Sequence, residues 1–212
     1  PLACELNFMQ IETFIFNNEN ILISRSGYTG EDGFELSVPN TQIKYIVEKF
    51  SNHNDTLFCG LGCRDSLRLE AGLCLYGNEL NETISPIEAN LKWAISKSRL
   101  KQGNFIGYDR IIEEIRFGTS QTRIGIKSIN KSILRSGMSL HNNDGMKVGE
   151  ITSGGFSPSL NLSIAMAYIN KEYLKSPNEI YCSIRGNMDL INISKLPFIK
   201  INYKRGLKNE WK

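Results

Sequence analysis

Short β-rich runs separated by turn residues fill the second half of the sequence, and they constrain its fold more than any other feature. Beyond residue 118 these runs are set apart by Gly, Asn and Asp, and they cover residues 123–127, 146–152, 162–169, 179–184 and 190–201. Short strands at such regular spacing are typical of a small antiparallel barrel or sandwich. The sequence therefore predicts a β domain over residues 118–212, with a domain boundary near residue 118.

The first half mixes strand and helix signals, so an α+β fold is predicted for the whole chain. Apolar residues at helical spacing over 43–50 predict a packing helix, and a second helix is predicted over residues 65–75. The tetrapeptide SPIE at residues 85–88 has the Ser, Pro and Glu of a helix N-terminus. It predicts a third helix that continues to about Ile95, and residues 1–117 would form the first domain.

A polar, glycine-rich turn lies within residues 24–38. An apolar run over residues 21–23 leads into it and alternate apolar residues leave it, which is the pattern of a β-hairpin. Three glycines within seven residues let the backbone take positive φ or approach another group closely: Gly27, Gly30 and Gly33. A phenol and three carboxylates surround them: Tyr28, Glu31, Asp32 and Glu35. Composition alone favours an ordinary solvated turn.

Two long motifs carry a resemblance to a known family. They read GYTGEDGFE at residues 27–35 and GLGCRDSLRLEAGLCLYGN at residues 60–78. Their sequences, order and spacing resemble those of the glycine cleavage system T-protein family, the tetrahydrofolate-dependent aminomethyltransferases. The resemblance continues through residues 85–88, 152–160, 165–168 and 196–198, so it covers essentially the whole chain. Because family members are considerably longer and the match begins well inside them, we expect this sequence to be a C-terminal fragment of a member.

The resemblance implies a folate site made of aromatic, acidic and basic side chains: Tyr28, Glu35, Arg64, Trp93 and Tyr203. The glutamate that matches Glu35 hydrogen-bonds the pterin ring in the family, and a carboxylate can accept from two neighbouring N–H groups. The arginine that matches Arg64 contacts folate, whose glutamate tail a guanidinium can bind through two parallel hydrogen bonds. Trp93 and Tyr203 match family aromatics near the folate.

Three of these residues also have a plainer interpretation. Glu35 fits a surface glutamate on a strand, Tyr28 fits a packed hairpin aromatic, and Trp93 fits the core side of a helix. Arg64 is predicted to lie just before a helix. Arg68 is interpreted as structural, paired with Asp65 or Glu70 at helical spacing.

The resemblance also implies a reaction. In the family, an aminomethyl group on the lipoyl arm of the H protein passes to tetrahydrofolate, ammonia leaves, and methylenetetrahydrofolate and the reduced arm are produced. The family assigns the proton and charge role to an N-terminal aspartate that no residue here matches, so no catalytic residue is expected in this chain. Two alternatives remain: a related folate-dependent demethylase of a methylated amine or sulfur compound, and a folate-binding module without catalysis. The stretch LCLYGN at residues 73–78 favours the glycine cleavage member.

Charge and hydropathy exclude other function classes. The formal net charge of +3 gives no broad footprint for nucleic acid, and basic residues over 97–101 are interpreted as solvated surface. Hydrophobic content of 41% and charged content of 22% fit a globular protein without a membrane segment. No signal-peptide pattern is visible. We expect a bacterial cytoplasmic protein, with the mitochondrial matrix as the alternative.

The five cysteines are scattered and form no CxxC pair, and only two histidines accompany them, so no metal site is predicted. Buried free thiols in a reducing compartment are expected instead.

Overall fold

A computed structural model describes residues 2–130, 132–174 and 179–205. The chain divides into two compact units, one made of described residues in 2–68 and 200–205, the other of described residues in 69–199. Helix and sheet are both present, which confirms the predicted α+β class. None of the helices in the described ranges is long and apolar enough to cross a membrane.

The first unit contains a three-stranded antiparallel sheet in the order β1 (Ile11–Phe16), β2 (Glu19–Ser24) and β3 (Glu35–Ser37). Asn17 and Asn18 both take positive φ between β1 and β2, as a two-residue hairpin turn requires. β2 pairs with β3 across the glycine turn, with Ser24 opposite Glu35. The predicted hairpin is confirmed.

α1 (Asn40–Ser51) confirms the predicted helix, but its interpretation as a packing helix is wrong within the described chain. Its apolar stripe stays exposed, at 46% for Ile43 and 49% for Phe50. The sheet reaches α1 elsewhere: the Gln42 amide donates to the Glu19 carboxylate at 2.8 Å, and the Phe16 ring lies 5.8 Å from the Tyr45 ring. Because these contacts involve the first turn and another face, they leave the stripe uncovered.

α2 (Leu61–Glu70) begins and ends earlier than the helix predicted over residues 65–75. Gly72 takes a left-handed φ of +66° and its N–H bonds the Leu69 carbonyl at 3.0 Å, so the chain turns away after Glu70. Arg64 therefore lies inside the helix rather than before it. Arg68 does pair with Asp65, through Nε at 2.8 Å and Nη2 at 2.7 Å.

The helix predicted from Ser85 does not form, although its start signal is satisfied. The Ser85 N–H donates to the Glu88 carboxylate at 2.8 Å, and the Glu88 N–H donates to Ser85 Oγ at 3.1 Å. Arg123 then takes the carbonyls that a helix would use, since its backbone N–H bonds Glu88 O and its Nε bonds Ala89 O, both at 2.9 Å. Asn90 then takes a positive φ of +58°, which is outside the helical range. Tertiary hydrogen bonds override the local helix signal here.

A 3₁₀ turn (Lys92–Ala94) and two helices not predicted from the sequence follow, α3 (Lys97–Gln102) and α4 (Tyr108–Phe117). Ser96 caps α3, because its Oγ accepts from the Arg99 N–H at 3.2 Å. Gly118 caps the C-terminus of α4, and the first barrel strand begins three residues later. The domain boundary near residue 118 stays a prediction.

The remaining strands are β4 (Gln121–Ser128), β5 (Ser139–His141), β6 (Lys147–Ser157), β7 (Leu162–Asn170), β8 (Tyr181–Ile184) and β9 (Asn187–Ser194). They close a six-stranded antiparallel barrel in the order β4-β7-β6-β5-β8-β9, which confirms the predicted barrel. The three-residue β5 was not predicted. The run predicted to continue to residue 201 ends at Ser194.

β7 is buried on both faces, which explains its continuous apolar sequence. Ala165, Ala167 and Ile169 belong to the cluster inside the barrel. The alternate residues Ile164 and Met166 pack instead in a second cluster with Leu69 and Phe198. The period of two along the strand thus supplies two separate cores within this unit.

The prediction of buried free thiols is wrong for most of the cysteines. None of the five forms a disulfide, but Cys4, Cys59 and Cys63 are exposed and Cys74 is half-buried. Only Cys182 is buried, inside the barrel, where desolvation raises the pKa of its thiol to about 11. Within the described residues, no three His, Cys, Asp or Glu side chains group together as a metal site would require.

Candidate folate-binding site

Arg25 links the two ends of the glycine turn by hydrogen bonds. Its Nε donates to the Asp32 carboxylate at 2.8 Å and its Nη2 bonds the other Asp32 oxygen, which makes a bidentate pair across the turn. Its Nη1 donates to the carbonyls of Cys4 and Leu6 at 2.8 and 3.0 Å. The turn therefore has a fixed shape, held by a side chain that is only 8% exposed.

The Arg25–Asp32 pair is expected to make the glycine turn sensitive to acid. The hydrogen bond from Arg25, followed by its charge, holds the pKa of Asp32 below its usual range. A lowered folded pKa contributes stability above the unfolded pKa, about 4, and that stability is lost as the pH falls through the folded pKa. We expect the acid-induced loss of amide protection in residues 11–37 to shift when Asp32→Asn is introduced.

Hydrogen exchange between pH 7 and pH 2 tests this expectation. Asp32→Asn should weaken protection at pH 7 and remove part of its dependence on pH below about 4. Glu12→Gln, which changes an exposed carboxylate on β1, is the matched control. Equal pH profiles for Asp32→Asn and the unaltered chain would contradict the expectation.

Only one of the three glycines in the turn needs its special backbone freedom. Gly30 takes a φ of +82°, whereas a side chain at Gly27 or Gly33 would meet nothing within 4 Å. The Gly30 carbonyl accepts from the Asn202 N–H at 2.9 Å, and the Asn202 amide donates to the Glu31 carboxylate at 3.1 Å. The segment that carries Tyr203 is thereby bonded to the turn.

Tyr28 and Arg64 meet within the first unit. The guanidinium carbon of Arg64 lies 4.8 Å from the centroid of the Tyr28 ring, which is a cation–π contact. Tyr28 is half-buried in the turn, and Arg64 is exposed on α2. A guanidinium over an aromatic ring still has N–H groups that can donate to a carboxylate of a ligand.

Glu35 opens β3 and is held by a serine. Ser26 Oγ donates to Glu35 Oε2 at 2.8 Å and itself lies 2.8 Å from Ser24 Oγ. The carboxylate is exposed, and its acceptor sites outnumber the one bond from Ser26. The resemblance did not point to either serine. The pairing of Ser24 with Glu35 in the hairpin register is the signal that could have found them.

Tyr203 and Trp93, the two other candidate residues, make different contacts. Tyr203 stacks on Phe8 with ring centroids 4.0 Å apart, and burial raises the pKa of its phenol. Trp93 belongs to the second unit and is 81% exposed, so its interpretation as a core residue is wrong in the described chain. It lies in a 3₁₀ turn because the predicted helix does not form. There it lines a cavity of about 900 Å³ with Cys74 and Leu196.

Both halves of the chain match known protein families. The family described as "GCVT N-terminal domain" matches residues 3–99. The family described as "Glycine cleavage T-protein C-terminal barrel domain" matches residues 122–200. The chain belongs to the glycine cleavage T-protein family. The second match covers the closed barrel found in the structure.

Curated relatives extend the family match over nearly the whole chain. Aminomethyltransferase, mitochondrial, of Flaveria anomala is 42% identical over 191 residues, which are 88% of this chain and 46% of that protein. The Pisum sativum protein of the same name is 41% identical over 203 residues, covering 94% and 49%. The Dictyostelium discoideum protein of that name is 41% identical over 208 residues, covering 94% and 51%. The chain thus spans about half the length of the curated relatives it matches.

A solved structure of the family has the same fold. The crystal structure of glycine cleavage system aminomethyltransferase T from Bartonella henselae matches with a TM-score of 0.88 and 37% identity, and the match covers 95% of this chain and 55% of that one. The T-protein fold is therefore present over the length that this chain covers.

Proposed function

We propose that this chain is part of a tetrahydrofolate-dependent aminomethyltransferase of the glycine cleavage system. The enzyme would move the aminomethyl group from the lipoyl arm of an H protein to tetrahydrofolate and release ammonia. The observation that carries the proposal is identity of about 40% to curated aminomethyltransferases across nine-tenths of the chain. It favours this activity over the demethylase alternative, since these relatives share the name aminomethyltransferase.

The residues of the first unit fit the chemistry of folate. Folate presents a pterin with adjacent N–H donors at one end and a glutamate tail at the other. The exposed Glu35 carboxylate supplies acceptors for the pterin, and Ser26 limits its rotation. Arg64 supplies a cation for the tail carboxylates, and its contact with Tyr28 orients the guanidinium.

In the transfer step a folate nitrogen attacks the aminomethyl carbon, so the enzyme has to hold the folate in register with the lipoyl arm. We assign that binding and orienting role to Glu35, Arg64 and Tyr28. Tyr203 and Trp93 are proposed as aromatic walls. We assign no catalytic residue to this chain and no metal to the reaction.

The assembly and the compartment are proposed with the activity. A lipoyl-bearing H protein is the partner, and residues 1–117 and 118–212 are the proposed folate and barrel domains. The compartment is the bacterial cytoplasm or, alternatively, the mitochondrial matrix. The curated relatives named above are mitochondrial, and the solved relative comes from a bacterium.

Titration with tetrahydrofolate under anaerobic conditions tests the proposed site. We expect saturable binding that weakens about 10- to 100-fold in Glu35→Ala and in Arg64→Ala, because each removes charge-assisted hydrogen bonds worth about 1.5–3 kcal/mol. Calorimetry measures the dissociation constant of tetrahydrofolate for the unaltered chain and for each variant. The matched controls are Glu12→Ala and Lys44→Ala, which remove exposed charges of the same sign elsewhere in the unit. A folded chain that binds no folate, or variants that bind like the controls, would contradict the site.

A second ligand separates the two roles. A reduced pterin without the glutamate tail should lose affinity in Glu35→Ala but not in Arg64→Ala. Equal losses in both variants would show that Arg64 does not bind the tail.

A further inference from the structure

A cavity of about 720 Å³ is lined by two segments of the unit formed by residues 69–199. One segment joins β4 to β5, and the other is the turn between β8 and β9. Each segment contributes an arginine, Arg135 and Arg185. The volume lies within the range of small-molecule sites, about 300–1,000 Å³. The described lining contains none of the residues proposed for folate, so the roles assigned above do not use this cavity.

Arg185 occupies a backbone position that an arginine rarely takes. Ile184 pairs with Asn187, so Arg185 and Gly186 form a two-residue turn, with φ of +50° and +87°. Such a turn needs a positive φ at both positions, and Asn, Asp or Gly is preferred at the first because other side chains are strained there. Among the residues that the structure describes, none forms a hydrogen bond or ion pair with the Arg185 guanidinium. Backbone strain of this kind clusters at ligand-binding sites.

The barrel fixes the backbone beside Arg135. The adjacent Leu134 is fully buried, and its N–H donates to Ser163 Oγ at 2.9 Å. The Arg135 side chain itself is exposed, and the distance from its Nη1 to the Gly154 carbonyl is 3.5 Å, which is long for a hydrogen bond. The guanidinium can therefore turn toward a ligand without the loss of a strong hydrogen bond.

The lining has an excess of positive charge. Its described residues include one carboxylate, that of Asp189, which accepts from Ser132 Oγ at 2.5 Å. Two guanidiniums and one carboxylate leave a net charge of +1. Two side-chain amides, from Asn130 and Asn187, also line the cavity and supply further N–H donors. These groups favour an anionic ligand.

Apolar side chains form another part of the lining: Ile133, Met138 and Ile184. Met138 and Ile184 are half-buried and pack against the cluster inside the barrel, so their positions are fixed. Ile133 is 48% exposed. An apolar group of a ligand would remove this surface from water, which favours an anion with an apolar body.

We propose that this cavity binds a small organic phosphate monoester, with the phosphate at Arg135 and Arg185 and the organic group against the three apolar side chains. A phosphate dianion has three terminal oxygens in a tetrahedral arrangement, so two guanidiniums from different segments can both donate to it. A carboxylate has two oxygens in one plane, and a single guanidinium can occupy both. The pair of arginines therefore favours phosphate over carboxylate.

Titrations of the ¹⁵N-labelled chain at pH 8 and constant ionic strength test the proposal. Phenyl phosphate is the probe, because its ring is apolar and its phosphate is a dianion above a second pKa of about 6. We expect saturable shifts of the backbone amides, confined to residues 132–138 and 184–189. Inorganic phosphate lacks the ring and benzoate lacks the phosphate, so each should bind about 10-fold or more weakly.

Two variants test the arginines. Arg185→Asn removes the cation but gives the turn its preferred Asn-Gly sequence, so the thermal midpoint of unfolding should not fall. Phenyl phosphate should nevertheless bind about 10-fold or more weakly, because a charge-assisted hydrogen-bonding group is lost. Arg135→Gln should cause a similar loss. The matched control is Arg116→Gln, which removes an exposed arginine from α4 in the same unit and should bind like the unaltered chain.

The proposal is overturned if phenyl phosphate causes no saturable shifts in these residues. It is also overturned if Arg185→Asn and Arg135→Gln bind phenyl phosphate as tightly as Arg116→Gln does. Equally tight binding of benzoate would overturn the assignment to phosphate, and equally tight binding of inorganic phosphate would overturn the role of the apolar side chains. None of these results depends on tetrahydrofolate binding or on the proposed transferase activity.

Discussion

Arg123→Ala is expected to destabilise the unit formed by residues 69–199 by about 3–5 kcal/mol. Arg123 lies on β4 and is 7% exposed. Its Nε donates to the Ala89 carbonyl at 2.9 Å and its Nη1 to the Gly72 carbonyl at 2.8 Å, so one side chain bonds two irregular segments to the barrel. Alanine would leave both carbonyls buried without a partner, at about 1–3 kcal/mol each, and would open a cavity beside Met166.

Native-state hydrogen exchange of the barrel strands measures this effect within its own unit. The most protected amides of β4 and β7 report the free energy of opening, which should fall by the stated amount. Arg116→Ala removes an exposed arginine from α4 and should change it by no more than about 0.5 kcal/mol. Arg123→Lys keeps the charge but not the two-directional hydrogen bonding, so an intermediate loss is expected. A result for Arg123→Ala that equals that of Arg116→Ala would contradict the linking role.

Arg123 also shows where sequence patterns fail to predict this fold. The capping motif at Ser85 was identified correctly and its two hydrogen bonds are made, yet no helix follows. The decisive groups are the Arg123 backbone and guanidinium, more than 30 residues away, which take the carbonyls of Glu88 and Ala89. Local periodicity contains no information about such a competitor. The early end of α2 has a more visible cause, since the glycine at position 72 was available as a stop signal.

The barrel was predictable because its information is local. β7 is a nearly continuous apolar run and β4 has apolar residues at alternate positions, Ile124 and Ile126, and both strands were placed to within a few residues. β5 was missed because three residues are too few to show a period of two. Its pairing with β6 and β8 depends on neighbours that are distant in sequence.

The candidate site, like the fold, was only partly predictable from the sequence. Glu35 and Arg64 were found through the resemblance, and the contact of Arg64 with Tyr28 was not predicted from spacing. The Arg25–Asp32 pair joins the two ends of the turn. Opposite charges at the two ends of a predicted hairpin turn are a sequence signal from which this pair could have been predicted. The role of Ser26 could be recognised only from the distance between its Oγ and the Glu35 carboxylate. Motifs therefore gave the residues, while the structure gave the side chains that hold them.

Glu70→Ala is expected to have an effect as large as that of Arg123→Ala, about 3–5 kcal/mol on the unit of residues 69–199. Glu70 ends α2 and is 1% exposed. Its carboxylate accepts from Ser157 Oγ at 2.5 Å, from the Ser159 N–H at 3.0 Å and from Ser159 Oγ at 2.7 Å. Alanine would leave these three donors without their acceptor in a space that the side chain now fills, so desolvation and cavity costs add.

The conservative variant identifies which property of Glu70 matters. Glu70→Gln has the same shape and keeps one carbonyl acceptor, while its NH₂ group faces donors from Ser159 or Ser157 and forces a hydroxyl to turn. We expect it to lose about 1–2 kcal/mol, measured by the same barrel amides. Glu113→Ala, an exposed glutamate on α4, should change the free energy of opening by no more than about 0.5 kcal/mol. If Glu70→Gln and Glu70→Ala are equally destabilised, the negative charge itself holds the β6 end in place; if both resemble Glu113→Ala, the serine contacts contribute no stability.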